Sequence, residues 1–264
     1  MIVLFNPLST TPGKQPLPLS LLSLAAVLGD ERPWTLVDGN LVPDPVAEIV
    51  VRLRAAPRTS TTLLAVTVMP GPQLTQAVAV CRRVRAELPE VPIVWGGYFP
   101  TQHADTVLAS PLVDYVIRSQ GERPLVQLID ALRTGSPLAR VYALSWKGGM
   151  SVVHNATGPL APLDDLPDLP YDRVDMSRYL HKNYLGRRTV AHNSSFGCPF
   201  ACNFCAVVAM SNRRWIAQSP ARMAGVLQRL ARTYGVDAVQ MHDMDFFIAE
   251  ARTAEFSEIG RAHV

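Results

Sequence analysis

Short apolar, β-branched runs alternate with amphipathic stretches through the first half of this chain, and that alternation limits its fold more than any other feature. Such runs read as strands, and apolar residues recurring three and four apart read as helices. The pattern predicts strands at residues 2–5, 34–37, 62–68, 92–95 and 113–117. Helices are expected at 19–28, 45–54, 74–88, 102–108 and 123–132. Strands and helices in strict alternation build parallel βαβ units with right-handed crossovers. The expected class is therefore α/β, with a doubly wound, flavodoxin-like (Rossmann-type) sheet over residues 1–140.

Ligands of such sheets bind beyond the carboxyl ends of the strands. Those ends carry Asn6-Pro7, Asp38-Gly39-Asn40, Thr67-Val68-Met69-Pro70-Gly71-Pro72-Gln73, Gly96-Gly97-Tyr98 and Gly121-Glu122. Glycines there let a ligand approach the backbone, although the same residues can simply make the βα turns. No G-x-G-x-x-G follows the first strand and no Walker A sequence occurs, which argues against a nicotinamide or P-loop nucleotide site.

Between residues 141 and 155 two β-like runs flank Gly148-Gly149, a hairpin signature, and prolines punctuate residues 159–170 as a linker. A strand-like run at 188–195 then leads into Gly197-Cys198-Pro199-Phe200-Ala201-Cys202-Asn203-Phe204-Cys205, with a helix expected at 220–234 and a strand at 238–241. Strand, loop, helix, strand is how a β/α barrel begins. Cys198, Cys202 and Cys205 follow a Cys-x3-Cys-x2-Cys spacing, whereas Cys81 stands alone in a helical pattern as a small buried side chain. Clustered thiolates in a chain without a disulfide pattern favour zinc, copper(I) or iron–sulfur clusters. Closed zinc and ordinary 4Fe-4S sites take four protein ligands, so three thiolates leave one position open. Zinc completed by His192 is the alternative.

The cysteine spacing, with Phe204 just before the last thiol, resembles the radical S-adenosylmethionine (SAM) superfamily. Tyr234-Gly235-Val236-Asp237 and His242-Asp243-Met244-Asp245 resemble the segment of its cobalamin-dependent members in which an acidic pair ends the second barrel strand. Met244 replaces the second acid, and Asp245 reads equally as a helix N-cap. The rim sequences of the first half, with Arg118-Ser119-Gln120-Gly121-Glu122, resemble in order and spacing the corrin-facing loops of cobalamin-binding domains fused to such barrels. Phe99 stands where many relatives carry histidine, and Ser119-Gln120 replaces a Gly-Glu pair.

The resemblance implies a cobalamin-binding domain at 1–140, a hairpin and linker at 141–186, and the first βαβ part of a radical SAM β/α barrel at 187–257. It implies a 4Fe-4S cluster on Cys198, Cys202 and Cys205, and SAM near Phe204 and Asp243. Cobalamin is expected at Thr67, Met69, Pro70, Gly71, Gln73, Gly96, Gly97, Tyr98, Gly121 and Glu122. No Asp-x-His-x-x-Gly occurs, so the cobalt is expected without a protein imidazole. The implied reaction is reductive SAM cleavage to a 5'-deoxyadenosyl radical, fed by a donor such as flavodoxin or ferredoxin. It would methylate an unactivated carbon of a small metabolite or peptide. Cyclisation or ring rearrangement with the same cofactors is the alternative, as is a non-catalytic corrinoid or metal-binding module.

Composition excludes other classes. Hydrophobic residues make up 48% and charged residues 18%, which rules out disorder. The arginines are scattered and interleave with no aromatic stripe, so no nucleic acid is expected. No apolar run reaches the roughly 18 residues of a membrane span, and no secretory signal is read, so a cytoplasmic location is expected. His103, His154, His181 and His263 read as surface residues. Only about the first part of a barrel of about 250 residues fits after Cys198, so this chain alone is expected to be inactive. Residues 258–264 match an in-frame translation of a sequencing adapter and are expected to be a non-native tail.

Overall fold

The computed structural model describes residues 1–11, 13–57, 61–149 and 151–261. The first half runs β1 (Ile2–Asn6), α1 (Leu19–Leu28), β2 (Trp34–Asp38), α2 (Pro45–Arg54), β3 (Leu63–Thr67), α3 (Pro72–Glu87), β4 (Ile93–Gly96), α4 (Tyr98–Gln102), α5 (Ala104–Ala109), β5 (Tyr115–Ile117) and α6 (Glu122–Thr134). β6 (Leu144–Gly148) and β7 (Ser151–His154) follow. The strand order is β2-β1-β3-β4-β5-β6-β7, parallel from β2 to β5 and antiparallel at the last two pairings. The hairpin thus extends the main sheet instead of standing apart, and the five parallel strands have the flavodoxin order.

Both faces of the parallel strands are covered, which is why they read as continuous apolar runs. Val3, Phe5, Leu64 and Val66 pack with α2, α3 and α5, and Ile2, Leu4, Leu63 and Ala65 pack with α1 and α6. Cys81 is wholly buried among the first group and its Sγ accepts from Trp95 Nε1 at 3.2 Å. Burial pushes that thiol up to about 12.

Two expectations need correction. The helix read at 102–108 is two helices: α4 starts at Tyr98, capped by Gly97 at φ 98°, and the chain breaks at His103 before α5. The strand read at 188–195 is also two, β8 (Thr189–His192) and β9 (Ser195–Gly197). After them come α7 (Val207–Ser211), β10 (Trp215–Ala217), α8 (Pro220–Tyr234), β11 (Ala238–Met241) and α9 (Glu250–Arg261). β8 and β11 pair in parallel across α8, while β9 turns back to pair antiparallel with β10. Ser219 caps α8 by accepting from Arg222 N, Pro220 opens it, and Gly235 closes it in the left-handed region.

The proline-rich segment is pinned to the start of α8. Asp164 accepts from Ser219 N, and Arg222 Nη1 and Nη2 donate to the carbonyls of Asp164 and Leu166. Further along, Tyr179 OH donates to buried Asp38 Oδ2 at 2.9 Å, and Gln15 Nε2 donates to Arg178 O at 2.6 Å. Leu17 and Leu22 from the first half, Tyr171, Met176 and Tyr179 from this segment, and Val190, Val226 and Leu230 from the second half form one apolar cluster. That cluster joins the halves. Tyr179→Phe should lower unfolding stability by about 1–2 kcal/mol, because it removes one donor from a buried carboxylate. Denaturant unfolding checks this, with an unchanged midpoint as the contrary result.

Candidate functional site

The carboxyl edge of the sheet is divided. On the β1–β2 side, Asn6 Nδ2, Asn40 N, Asn40 Nδ2 and Tyr179 OH all donate to Asp38, and Gln73 Nε2 donates to Asn6 Oδ1. These groups are spent on one another. On the β3–β5 side the edge opens into a cavity of about 560 Å³. Its far wall is built by Tyr171 of the linker, His192, Ser195, Phe196 and Gly197 of β8 and β9, and Met244 after β11.

Of the residues expected to hold cobalamin, Thr67, Met69, Gln73, Gly96, Gly97, Tyr98, Gly121 and Glu122 line this cavity. Pro70 and Gly71 do not; they are exposed on the turn into α3, where Gly71 adopts φ 92° as its N-cap. Gly97 is required by the protein's own packing: at φ 98° a Cβ there would stand 3.1 Å from Val68 O and 3.2 Å from Thr67 Oγ1. Glu122 accepts from Ser23 Oγ at 2.6 Å, and burial pushes its carboxyl above the usual range. Tyr98 OH donates to Met244 Sδ at 3.2 Å, reaching from the sheet edge to the second half. Its phenol is pushed up by burial and by the Cys205 thiol nearby.

Cys198, Cys202 and Cys205 sit on one loop between β9 and α7, all free, with Cys202 exposed and the other two half-buried. Gly197 sets the start of the loop at φ 83°, and a Cβ there would lie 2.2 Å from Arg214 O. Among the described residues no three His, Cys, Asp or Glu side chains converge to hold a single metal ion. Zinc needs all its ligands about 2.0–2.3 Å from one point, so the zinc reading with His192 finds no support. His192 is buried beside Gln218, with Nε2 3.2 Å from Oε1 and Nδ1 without a partner. A 4Fe-4S cluster instead distributes its cysteines over separate irons, and three unpaired thiols on one partly open loop suit that demand. Phe204, beside the last of them, is 93% exposed.

Asp243 lies beyond β11 but not free: Ser194 N, Ser194 Oγ and Ser195 Oγ donate to it. Asp245 caps no helix; it accepts from Phe247 N in a local turn. Arg252 of α9 donates to Ser194 Oγ at 2.7 Å and Gln218 O at 2.8 Å, bracing the same junction. Nothing local marks Ser194, Ser195 or Arg252, because their partners lie up to 58 residues away. Of the histidines read as surface residues, His103 and His154 are exposed, and His154 Nε2 lies 3.0 Å from Asp105 Oδ1. His181 is half-buried on Gln15 O, and His263 lies outside the described residues.

The family model described as "B12 binding domain" matches residues 7–129, the span from the end of β1 through most of α6. Over 256 residues the chain is 30% identical to the anaerobic magnesium-protoporphyrin IX monomethyl ester cyclase of Synechocystis, covering 95% of this chain and 50% of that protein. It is 26% identical to an uncharacterized methyltransferase of Pyrococcus horikoshii, over 91% of this chain and 51% of the relative. Its fold superposes on the radical S-adenosylmethionine methyltransferase TsrM of Kitasatospora setae, solved with cobalamin and a 4Fe-4S cluster bound. The TM-score there is 0.77 at 18% identity, covering 99% of this chain and 51% of that one.

The chain thus carries a match to a B12-binding domain and shares its fold with cobalamin-dependent radical SAM enzymes. Its B12-binding domain is the flavodoxin-like half described above, and the cavity lies on that domain's ligand-binding edge. The chain spans about half the length of the curated relatives it matches. Among the described residues no helix is long and apolar enough to cross a membrane.

Two outcomes follow from the geometry. Gly197→Ala should cost about 2–4 kcal/mol, from left-handed strain together with the clash on Arg214 O; denaturant unfolding measures it. Burial holds the His192 imidazole below its ordinary pKa, with Arg252 acting in the same direction and Gln218 and Asp243 opposing. Below about pH 6.5 the unfolded chain therefore binds a proton that the folded chain refuses, and stability falls as the pH drops. Unfolding curves between pH 7 and 5 should show a shallower loss in His192→Gln than in the wild type.

Proposed function

We propose that this chain forms the cofactor-holding half of a cobalamin-dependent radical SAM enzyme that methylates an unactivated carbon of a small metabolite or peptide. The observation that carries the reading is the single cavity walled by both halves, with the B12-binding edge on one side and the β8, β9 and β11 ends on the other. In such enzymes bound SAM and the reduced cluster supply a 5'-deoxyadenosyl radical, and cobalamin supplies the methyl group.

In this assignment Cys198, Cys202 and Cys205 hold the cluster, and an external donor such as flavodoxin or ferredoxin reduces it. Phe204 and Asp243 flank SAM, with Ser194 and Ser195 fixing the Asp243 carboxylate in place. Thr67, Met69, Gln73, Gly96, Gly97, Tyr98, Gly121 and Glu122 face the corrin. The Tyr98–Met244 contact and the shared apolar cluster keep the two cofactor regions in register. The mainly apolar wall excludes water, which protects a radical from quenching. A second reading, cyclisation without methyl transfer, is favoured by the 30% identity to the anaerobic cyclase.

Anaerobic reconstitution of the chain with iron and sulfide tests the assignment. Charge-transfer absorption should appear in the wild type and vanish in the Cys198→Ala/Cys202→Ala/Cys205→Ala variant, with cobalamin uptake retained. A wild type that acquires no such absorption overturns it. With a substrate in hand, product mass separates the two readings, since methylation adds one methylene unit and cyclisation adds none.

A further inference from the structure

Residues 182–188 form a surface loop that is closed at its base and fixed along its length. His181 and Thr189 exchange backbone hydrogen bonds of 3.0 Å at the base. Asn183 organises the turn: its N donates to Gly186 O at 3.0 Å, and its Oδ1 accepts from Leu185 N at 2.8 Å and Thr189 Oγ1 at 2.9 Å. Arg187 N and Arg188 N donate to the Asp237 carboxylate, and a Cβ on Gly186 would stand 2.4 Å from Asp237 Oδ1. The loop is thus pressed against the start of β11.

What this braced turn presents to solvent is apolar at its tip and cationic at its flanks. Tyr184 is 88% exposed and Leu185 is 44% exposed, with exposed Lys182, Arg187 and Arg188 on either side. Asp237, the carboxylate that bonds the loop, is engaged by its two amides. A single exposed leucine needs no explanation. An aromatic and an aliphatic side chain together, flanked by cations, have the make-up of an interfacial anchor. Tyrosine settles at the membrane–water boundary, and each nearby Lys or Arg adds attraction to an anionic leaflet. The shape argues against a protein partner, because a stable protein interface covers about 800 Å² on each side and this tip offers two apolar side chains on one turn.

We propose that residues 182–188 are a docking site for an anionic membrane surface, with Tyr184 and Leu185 entering the interfacial layer and Lys182, Arg187 and Arg188 meeting lipid phosphates. No membrane span is involved, and the inference does not depend on what the large cavity binds.

Flotation of the full chain with vesicles tests it, using equimolar phosphatidylglycerol and phosphatidylcholine against phosphatidylcholine alone. The chain should float with the anionic vesicles, bind the neutral ones much more weakly, and detach as salt is raised. Tyr184→Ser/Leu185→Ser should bind the anionic vesicles about tenfold more weakly, and Lys182→Gln/Arg187→Gln about ten- to thirtyfold more weakly. Both should keep the wild-type melting midpoint, because the turn is bonded through Asn183, Asp237 and backbone groups. The chain carries a net charge of +3, so Arg82→Gln/Arg140→Gln, which removes two exposed arginines elsewhere, is the control and should bind like the wild type. An equal loss in that control assigns the attraction to net charge and overturns the inference. Anionic binding that Tyr184→Ser/Leu185→Ser leaves intact overturns it as well, as does wild type that floats with neither vesicle. Retention of the wild type on immobilised polyglutamate without flotation assigns the loop to an acidic protein, with the same consequence.

Discussion

Asp38 ends β2 with a carboxylate only 3% exposed, and Asn6, Asn40 and Tyr179 bring four donors to it. A buried charge without such donors would cost several kcal/mol, so the network is a requirement of the fold. Because one donor comes from a residue 141 positions away, satisfying Asp38 also fixes where the linker runs. The linker closes the β1–β2 side of the sheet edge and leaves the β3–β5 side open. The cavity is where it is because the other half of the edge is already occupied.

The same segment orients the second half. Its carbonyls and Asp164 hold the start of α8, and its aromatic side chains share an apolar cluster with Val190 of β8 and Leu230 of α8. β8 and β11 therefore meet the B12-binding edge with their carboxyl ends, and Tyr98 reaches Met244 across the gap. In the function proposed above, this arrangement would let two cofactors serve one substrate. Proximity of that kind is worth more to a reaction than any single contact, since reactants held together need no further encounter.

The parallel strands, most helices and the cysteine loop were legible in the chain because each is a local pattern. Period, β-branching and caps act within a few residues, so α8 lies where Ser219-Pro220 and Gly235 place it. Errors fell where distant packing overrode local signals. Gly97 started a helix earlier than periodicity suggested, His103 broke it, and the hairpin found its partner in β5. Ser194, Ser195 and Arg252 carried no local mark because their roles arise only when β8, β11 and α9 come together.

From sequence alone came the α/β class, the cluster of three thiols on one loop, and the glycine-bearing edge, all consequences of residue type and short spacing. Tertiary structure alone decided which edge residues face a shared cavity and which, like Asp38, are consumed by the fold. It also showed that Asp243 is held by serines. The reason is physical: a side chain's chemistry depends on its burial and its partners, and both are set by residues brought near from far along the chain.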